Sequence, residues 1–157
     1  MKSEDDGDNW TKTVVWENPY PLNAGGNTDT FYCVDGSHDL AFDNSGKIHI
    51  VFGINRAYDD GAGPYWFPGV DGVGYWNEDM PAFSNNVDAL NPYGEAGTEL
   101  VEDYNLIAWS QDLNNNGELD LLDDWGTYYL GLSSMVQLIV DDQDQLFLAF
   151  TFGYRRL

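Results

Sequence analysis

Chemistry is densest in one twelve-residue stretch, Asp112-Leu113-Asn114-Asn115-Asn116-Gly117-Glu118-Leu119-Asp120-Leu121-Leu122-Asp123. Oxygen-bearing side chains stand at its first, third, fifth, ninth and twelfth positions, a glycine at the sixth and a leucine at the eighth. A hard divalent cation such as Ca2+ collects about six to eight oxygens, and alternate residues early in a tight loop converge on one point. Asp112, Asn114, Asn116 and Asp123 are the expected side-chain ligands, Glu118 offers its carbonyl, and Asp120 ligates directly or through water. Gly117 permits the sharp turn and Leu119 anchors the loop to a core. The competing reading is an ordinary Asn-Gly turn between polar residues.

The charge balance gives a cation work to do. Six Lys and Arg face 27 Asp and Glu, a formal charge of −21. Between Ala57 and Tyr154 there is no Lys or Arg, while that stretch carries 18 carboxylates, so the protein has no internal counter-charge there. Solvation tolerates an acidic surface, but where carboxylates converge a divalent ion is the remaining neutraliser. The loop resembles the EF-hand type, particularly the version in dockerins and bacterial extracellular modules. It departs from that pattern in carrying Asp123 where Glu is usual, which shortens the reach for bidentate ligation. The neutral Asn114 and Asn116 lower its charge, and neither flank reads as a helix. The same acidity repels nucleic-acid phosphates and anionic membrane surfaces, so neither is an expected partner. No apolar run approaches the roughly 18 residues of a membrane helix, and the opening Met1–Asp6 lacks the apolar core of a signal peptide.

A second candidate is the aromatic stretch around Tyr65, Trp66, Tyr75 and Trp76, with Arg56 upstream. Exposed rings beside polar groups suit a sugar, because a ring covers the apolar face of a pyranose while amides and carboxylates take its hydroxyls. Packing inside the fold is the plainer alternative for all of these aromatics. Glu78 and Asp79 are an adjacent carboxylate pair, but with 27 acids such pairs carry no weight for glycoside hydrolysis. His38 and His49 lie in or beside strands without a third metal ligand and read as packing or surface residues. Cys33 is the single cysteine, which excludes an intrachain disulfide and reads as a buried small side chain.

The elements that must position these residues are strands. The chain of 157 residues is one domain by length, and its 17 Gly and six Pro punctuate short β-branched and aromatic runs. The runs are Thr11–Trp16, His38–Phe42, Ile48–Ile54, Val73–Trp76, Asn105–Trp109, Tyr128–Leu130, Val136–Val140 and Leu146–Phe152, and none sustains a helical period beyond a turn or two. The expected class is all-β. Asp39–Phe52 aligns without gaps with Gln137–Phe150, an offset of 141 − 43 = 98, with apolar residues matching at 40/138, 42/140, 48/146, 50/148 and 52/150. Each copy reads as strand, Asp-opened turn and strand, which is a β-hairpin. Repeated antiparallel hairpins suit a β-propeller of four-stranded blades, with a β-sandwich as the alternative.

The residues Ser3-Glu4-Asp5-Asp6-Gly7-Asp8-Asn9-Trp10 fit S-x-D-x-G-x-x-W. Here the chain resembles the Asp-box, or BNR, repeat of sialidase-like β-propellers that bacteria secrete or display. The resemblance implies that Ser3 and Asp5 close a turn, Gly7 takes the turn conformation and Trp10 is buried. It also implies that Thr11–Trp16 is the fourth strand of a blade. The expected architecture is a partial β-propeller of two to three blades over residues 1–157, with the calcium loop 112–123 inserted and the remaining blades of a larger parent chain as partners. The Asp box is structural in that family. A sialidase of this kind needs three separated arginines, a Tyr–Glu pair and an Asp acid, yet only Arg56, Arg155 and Arg156 exist, and adjacent strand residues point to opposite faces. The expected function is therefore a non-catalytic, calcium-stabilised segment of a secreted or cell-surface protein that binds a glycan or an extracellular protein. A fragment of a glycoside hydrolase with its catalytic residues elsewhere is the second reading, and a purely structural spacer is the third.

Overall fold

β-Branched and aromatic residues on both faces of a run can be satisfied only by a strand covered on both sides, and Ile48–Asp59 is such a run. A computed structural model of the chain describes residues 1–67, 72–92, 98–102, 105–109 and 133–152. Within them the protein is all-β, with β1 (Phe31–Phe42), β2 (Ile48–Asp59), β3 (Pro64–Trp66), β4 (Gly72–Asn77), β5 (Leu106–Trp109), β6 (Ser133–Val140) and β7 (Leu146–Phe152); one helical turn, α1 (Glu99–Glu102), interrupts them. All pairings are antiparallel. The larger sheet has the order β1-β2-β4-β5, with β3 paired to β2 beyond the reach of β4, and β6-β7 form a second sheet. Neither closes on itself among the described residues.

Alternation along β2 divides the core between its two faces. Phe52 and Ile54 face one side, where they pack with Tyr32, Trp76, Phe83, Leu90 and Leu100. Val51 faces the other, where Val73 of β4 meets Val136 and Leu138 of β6. The second sheet therefore lies on the first face to face. Its docking is also polar: the Val136 N–H donates to Ser37 Oγ at 3.1 Å, and the Leu138 N–H to Asp39 Oδ2 at 2.7 Å. Gly74 is required opposite Phe52, because a Cβ there would lie 2.6 Å from the ring.

The two aligned segments fold as the same hairpin. Leu40 pairs with Ile50 and Phe42 with Ile48 in one; Leu138 pairs with Leu148 and Val140 with Leu146 in the other. Asp43 Oδ1 accepts the backbone N–H groups of Ser45 and Lys47, both at 2.9 Å. Asp141 Oδ1 accepts those of Gln143 and Gln145, both at 2.8 Å. The residue that needs positive φ is Gly46 (81°) in the first turn and Asp144 (58°) in the second. Each hairpin also carries a register shift at the same end, between Val34 and His38 and between Ser134 and Gln137.

Two expectations are corrected. Thr11–Trp16 is not a strand: Thr11 forms a lone bridge with Lys2, while the Val15 carbonyl accepts the Phe83 N–H and Val15 and Trp16 pack on the core. Among the described residues no strand forms a ladder with that segment; Val15 and Trp16 are held by packing, while Val14 stays 46% exposed. Trp10 is 58% exposed rather than buried. The expected run Tyr128–Leu130 lies outside the described residues, and β3 was not foreseen.

Candidate functional site

β2 outruns its contact with β4 by several residues and folds back as β3. Its last residue, Asp59, is fixed by the turn it opens, accepting the Gly61 N–H on Oδ1 at 2.8 Å and the Asn23 amide on Oδ2 at 3.1 Å. Gly61 takes φ 85°, and Asp60 accepts the Ala62 N–H at 2.9 Å. That contact, together with the Tyr65 hydroxyl, holds the Asp60 carboxyl below its usual range, and the same hydrogen bond pushes the Tyr65 phenol up. The return pairs Tyr58 with Tyr65 and Ala57 with Trp66.

This small ribbon builds an aromatic cluster around one cation. Tyr58 and Tyr65 stack with centroids 4.8 Å apart and planes 11° apart, and Phe67 tilts against Tyr58 at 5.6 Å. The Arg56 guanidinium sits over two rings, 5.3 Å from the Phe67 centroid and 5.6 Å from that of Tyr32, its register partner on β1. Such contacts contribute about 0.5–2 kcal/mol each and fix the direction of the side chain. Arg56 Nε is buried without a hydrogen-bond partner, and among the described residues no carboxylate forms an ion pair with Arg56. Tyr65, paired with Tyr58, is 46% exposed on the ribbon face that Arg56 and Phe67 share, whereas Trp66, paired with Ala57, is 39% exposed on the other face. A planar cation held by two rings and forming no ion pair among the described residues is suited to take a carboxylate-bearing ligand on its terminal amino groups.

The other expected ligand-binding aromatics are elsewhere. Tyr75 pairs with Val51 and Trp76 with Ile50, so they stand at the opposite end of β2 from Arg56. Trp76 is buried in the core and donates its indole N–H to the Pro81 carbonyl at 3.1 Å. The Tyr75 hydroxyl lies 2.7 Å from His49 Nδ1 and accepts the Asn77 amide at 2.9 Å. These two residues therefore belong to packing, not to the Arg56 cluster.

His49 is the polar residue whose role was least visible in the sequence. It is buried, with Nε2 3.3 Å from Asp43 Oδ2 and its ring stacked on Tyr75. Asp43 is held well below the usual carboxylate range, first by the Ser45 hydroxyl and then by the Lys47 N–H. The row Asp43, His49, Tyr75 lies beneath the second sheet and locks the turn to β4. The signal was the Asp six residues before His49 in the hairpin; its third member comes from a different strand. Glu78 and Asp79 are taken by Lys2 and Lys47 respectively, and Glu78 also accepts the Ile48 N–H.

The N-terminal turn has the geometry its residues suggest. Ser3 Oγ donates to Asp5 Oδ1 and accepts the Gly7 N–H, both at 2.8 Å, and Asp5 Oδ1 accepts the Asn9 N–H at 2.8 Å. Gly7 has φ 97°, and the Trp10 indole N–H donates to its carbonyl at 3.0 Å. Burial of Cys33 pushes its thiol up to about 12, so it is an inert core residue.

The expected calcium ligands Asp112, Asn114, Asn116, Glu118, Asp120 and Asp123 lie outside the described residues, as do Tyr154, Arg155 and Arg156. Among the described residues no three His, Cys, Asp or Glu side chains are grouped to hold a metal ion. No described helix is long and apolar enough to cross a membrane. No family model matches the chain, and comparison with curated proteins and with solved structures finds no match.

Proposed function

We propose that the chain is a segment of propeller-type repeats, of the sialidase-like Asp-box kind, that binds an acidic glycan without turning it over. The observation that carries the reading is Arg56. In a chain with 27 acids, this cation is held between Tyr32 and Phe67 with no carboxylate partner among the described residues, and Tyr65 is exposed on the same face of the ribbon. The stacked hairpins and the Ser3–Trp10 turn support the repeat architecture. One fixed arginine supplies binding but not the converging cations and acid–base pair that cleavage of a sialoside requires. A calcium ion at Asp112–Asp123 and a secreted or cell-surface location belong to the same reading.

Calorimetric titration of the whole chain with sialic-acid-bearing and uronate-bearing oligosaccharides, against neutral ones, tests it. Saturable binding of the acidic sugars that is lost in Arg56→Ala, while that variant keeps the circular dichroism spectrum of the folded wild type below its own melting temperature, is the expected result. Equal indifference to acidic and neutral sugars overturns it. Turnover of a fluorogenic sialoside that disappears in Arg56→Ala would instead favour the glycoside hydrolase reading.

A further inference from the structure

The turn that carries β2 into β3 fixes two phenols against each other. Tyr58 and Tyr65 are register partners, so both side chains leave the same face of the ribbon, with Cβ atoms about 4.5–5.5 Å apart as in any such pair. Their rings stack with centroids 4.8 Å and planes 11° apart. The Tyr65 phenol is raised first by its hydrogen bond to Asp60 and further by the Tyr58 phenol, which places the two hydroxyl ends side by side. The six residues between them hold the pair in register, because the turn is fixed from outside. Thr28 Oγ1 accepts the Asp59 N–H at 2.8 Å, the Asn23 amide donates to Asp59 Oδ2 at 3.1 Å, and Asn27 bridges to Asp60.

Tyr65 and the rest of β3 are exposed, whereas Tyr58 is half-buried. An oxidant in solvent therefore reaches one ring, and that ring already touches its partner. Asp60 accepts the Tyr65 hydroxyl, so a carboxylate stands where it can take the phenolic proton as the electron leaves. Among the described residues the other tyrosines face different groups: Tyr20 lies against Phe31, Tyr32 against the Arg56 guanidinium and Tyr75 against His49.

We propose that Tyr58 and Tyr65 are a site of oxidative modification, joined ring carbon to ring carbon as an intrachain dityrosine by a haem peroxidase with hydrogen peroxide. Each phenol gives up one electron and its hydroxyl proton, that of Tyr65 to Asp60 and that of Tyr58 to water. The two phenoxyl radicals share their spin with the carbons ortho to oxygen, and one Cε of Tyr58 bonds to one Cε of Tyr65. Each of those carbons then releases its hydrogen as a proton while a proton returns to each oxygen, which restores two phenols. The chain loses two hydrogen atoms in all, and one hydrogen peroxide takes them up to become two waters. The short, exposed β3 lets the Tyr65 ring roll out of the stack into the biaryl geometry. The link closes the turn covalently. It also ties down the ribbon beside Arg56, because the Phe67 N–H donates to the Arg56 carbonyl at 2.9 Å and the Phe67 ring leans on Tyr58. The proposal rests on this ring pair and not on glycan binding, so its failure and that of the Arg56 site are read separately.

The whole chain is treated with a haem peroxidase and one equivalent of hydrogen peroxide at about 5 μM, far below the effective concentration, on the order of mM, of a partner joined by a short linker. The expected product is a monomer with biphenol fluorescence and a mass lower by two hydrogen atoms. After cleavage at Asp59 and Asp60, the peptides carrying Tyr58 and Tyr65 should remain joined. Positioned partners react far ahead of random ones, so this link should exceed any other tyrosine link at least about tenfold. Tyr58→Phe and Tyr65→Phe each keep a ring pair and should keep the circular dichroism spectrum of wild type, and each should abolish the link. Coupling mainly between chains or between other tyrosines overturns the proposal. So does a wild-type chain left unmodified by a dose that couples free tyrosine, or a fluorescence and mass change that both variants retain.

Discussion

The backbone N–H of Leu138 donates to the carboxylate of Asp39 at 2.7 Å, joining two hairpins that are far apart in the chain. Asp39 also accepts the N–H of Leu40 on its other oxygen at 2.9 Å, so one side chain serves the exposed edges of both β1 and β6. An unpaired strand edge leaves backbone donors without partners, and a carboxylate reaching across from the neighbouring sheet satisfies one of them.

Asp39→Ala should therefore weaken the docking of the second sheet. Leu138 is buried, and stripping a buried donor of its acceptor costs about 1–3 kcal/mol. Urea unfolding of Asp39→Ala and Asp39→Asn measures it; Asn keeps one acceptor oxygen and should lose less. Equal stability of Asp39→Ala and wild type would mean that water replaces the carboxylate at no cost.

Acid should unfold the protein from its turns. Asp43 is lowered chiefly by the Ser45 hydroxyl, Glu78 by Lys2 and Asp5 by the Asn9 amide. A carboxyl whose folded pKa is depressed contributes stability that is present above its unfolded value and lost as pH falls through the folded one. The unfolded values are 3.8 for Asp and 4.5 for Glu, so the urea midpoint should be flat near neutrality and fall below about pH 4. Asp43→Asn should start lower at pH 7 and lose less between pH 4 and pH 2. A wild-type midpoint unchanged across that window would contradict the role of these turns.

Gly74→Ala should be destabilising although alanine has the better intrinsic stability in most contexts. Its Cβ would lie 2.6 Å from the Phe52 ring and 3.2 Å from Leu100, and forcing extra volume into a packed core costs about 1–3 kcal/mol. Phe52→Leu makes room, so the double substitution should lose less than the sum of the two singles. Thermal melts of the four chains complete the cycle, and strict additivity would argue against the contact.

Calcium should raise the melting temperature through Asp112–Asp123. Carboxylates brought together repel one another until a cation arrives, and a ligand that binds only the folded state stabilises it by about 2.7 kcal/mol at ~100 times its Kd. Melts with calcium and with chelator, in wild type and in Asp112→Ala combined with Asp123→Ala, decide it. An equal calcium response in the variant would place the site elsewhere.

What the sequence determined by itself is local. The alternation of Leu40, Phe42, Ile48, Ile50 and Phe52, the turn opened by Asp43 and the repeat of both near Asp141 fix two hairpins with their register, because a two-residue period and an Asp-capped turn involve neighbours only. The Ser3–Gly7 turn was legible for the same reason. What the tertiary structure decided is which face of each strand is covered. Trp76 and Tyr65 look alike as strand aromatics, yet Trp76 lies in the core and Tyr65 is exposed, since only Trp76 has Phe83, Leu90 and Leu100 folded over it. Thr11–Trp16 has strand-forming residues but no ladder partner among the described residues. His49 acquires Asp43 and Tyr75 only when β2 and β4 align, and Arg56 acquires its rings only when β1 and the β3 ribbon meet beside it. Pairing and burial are set by segments distant in sequence, and no periodicity within a segment encodes them.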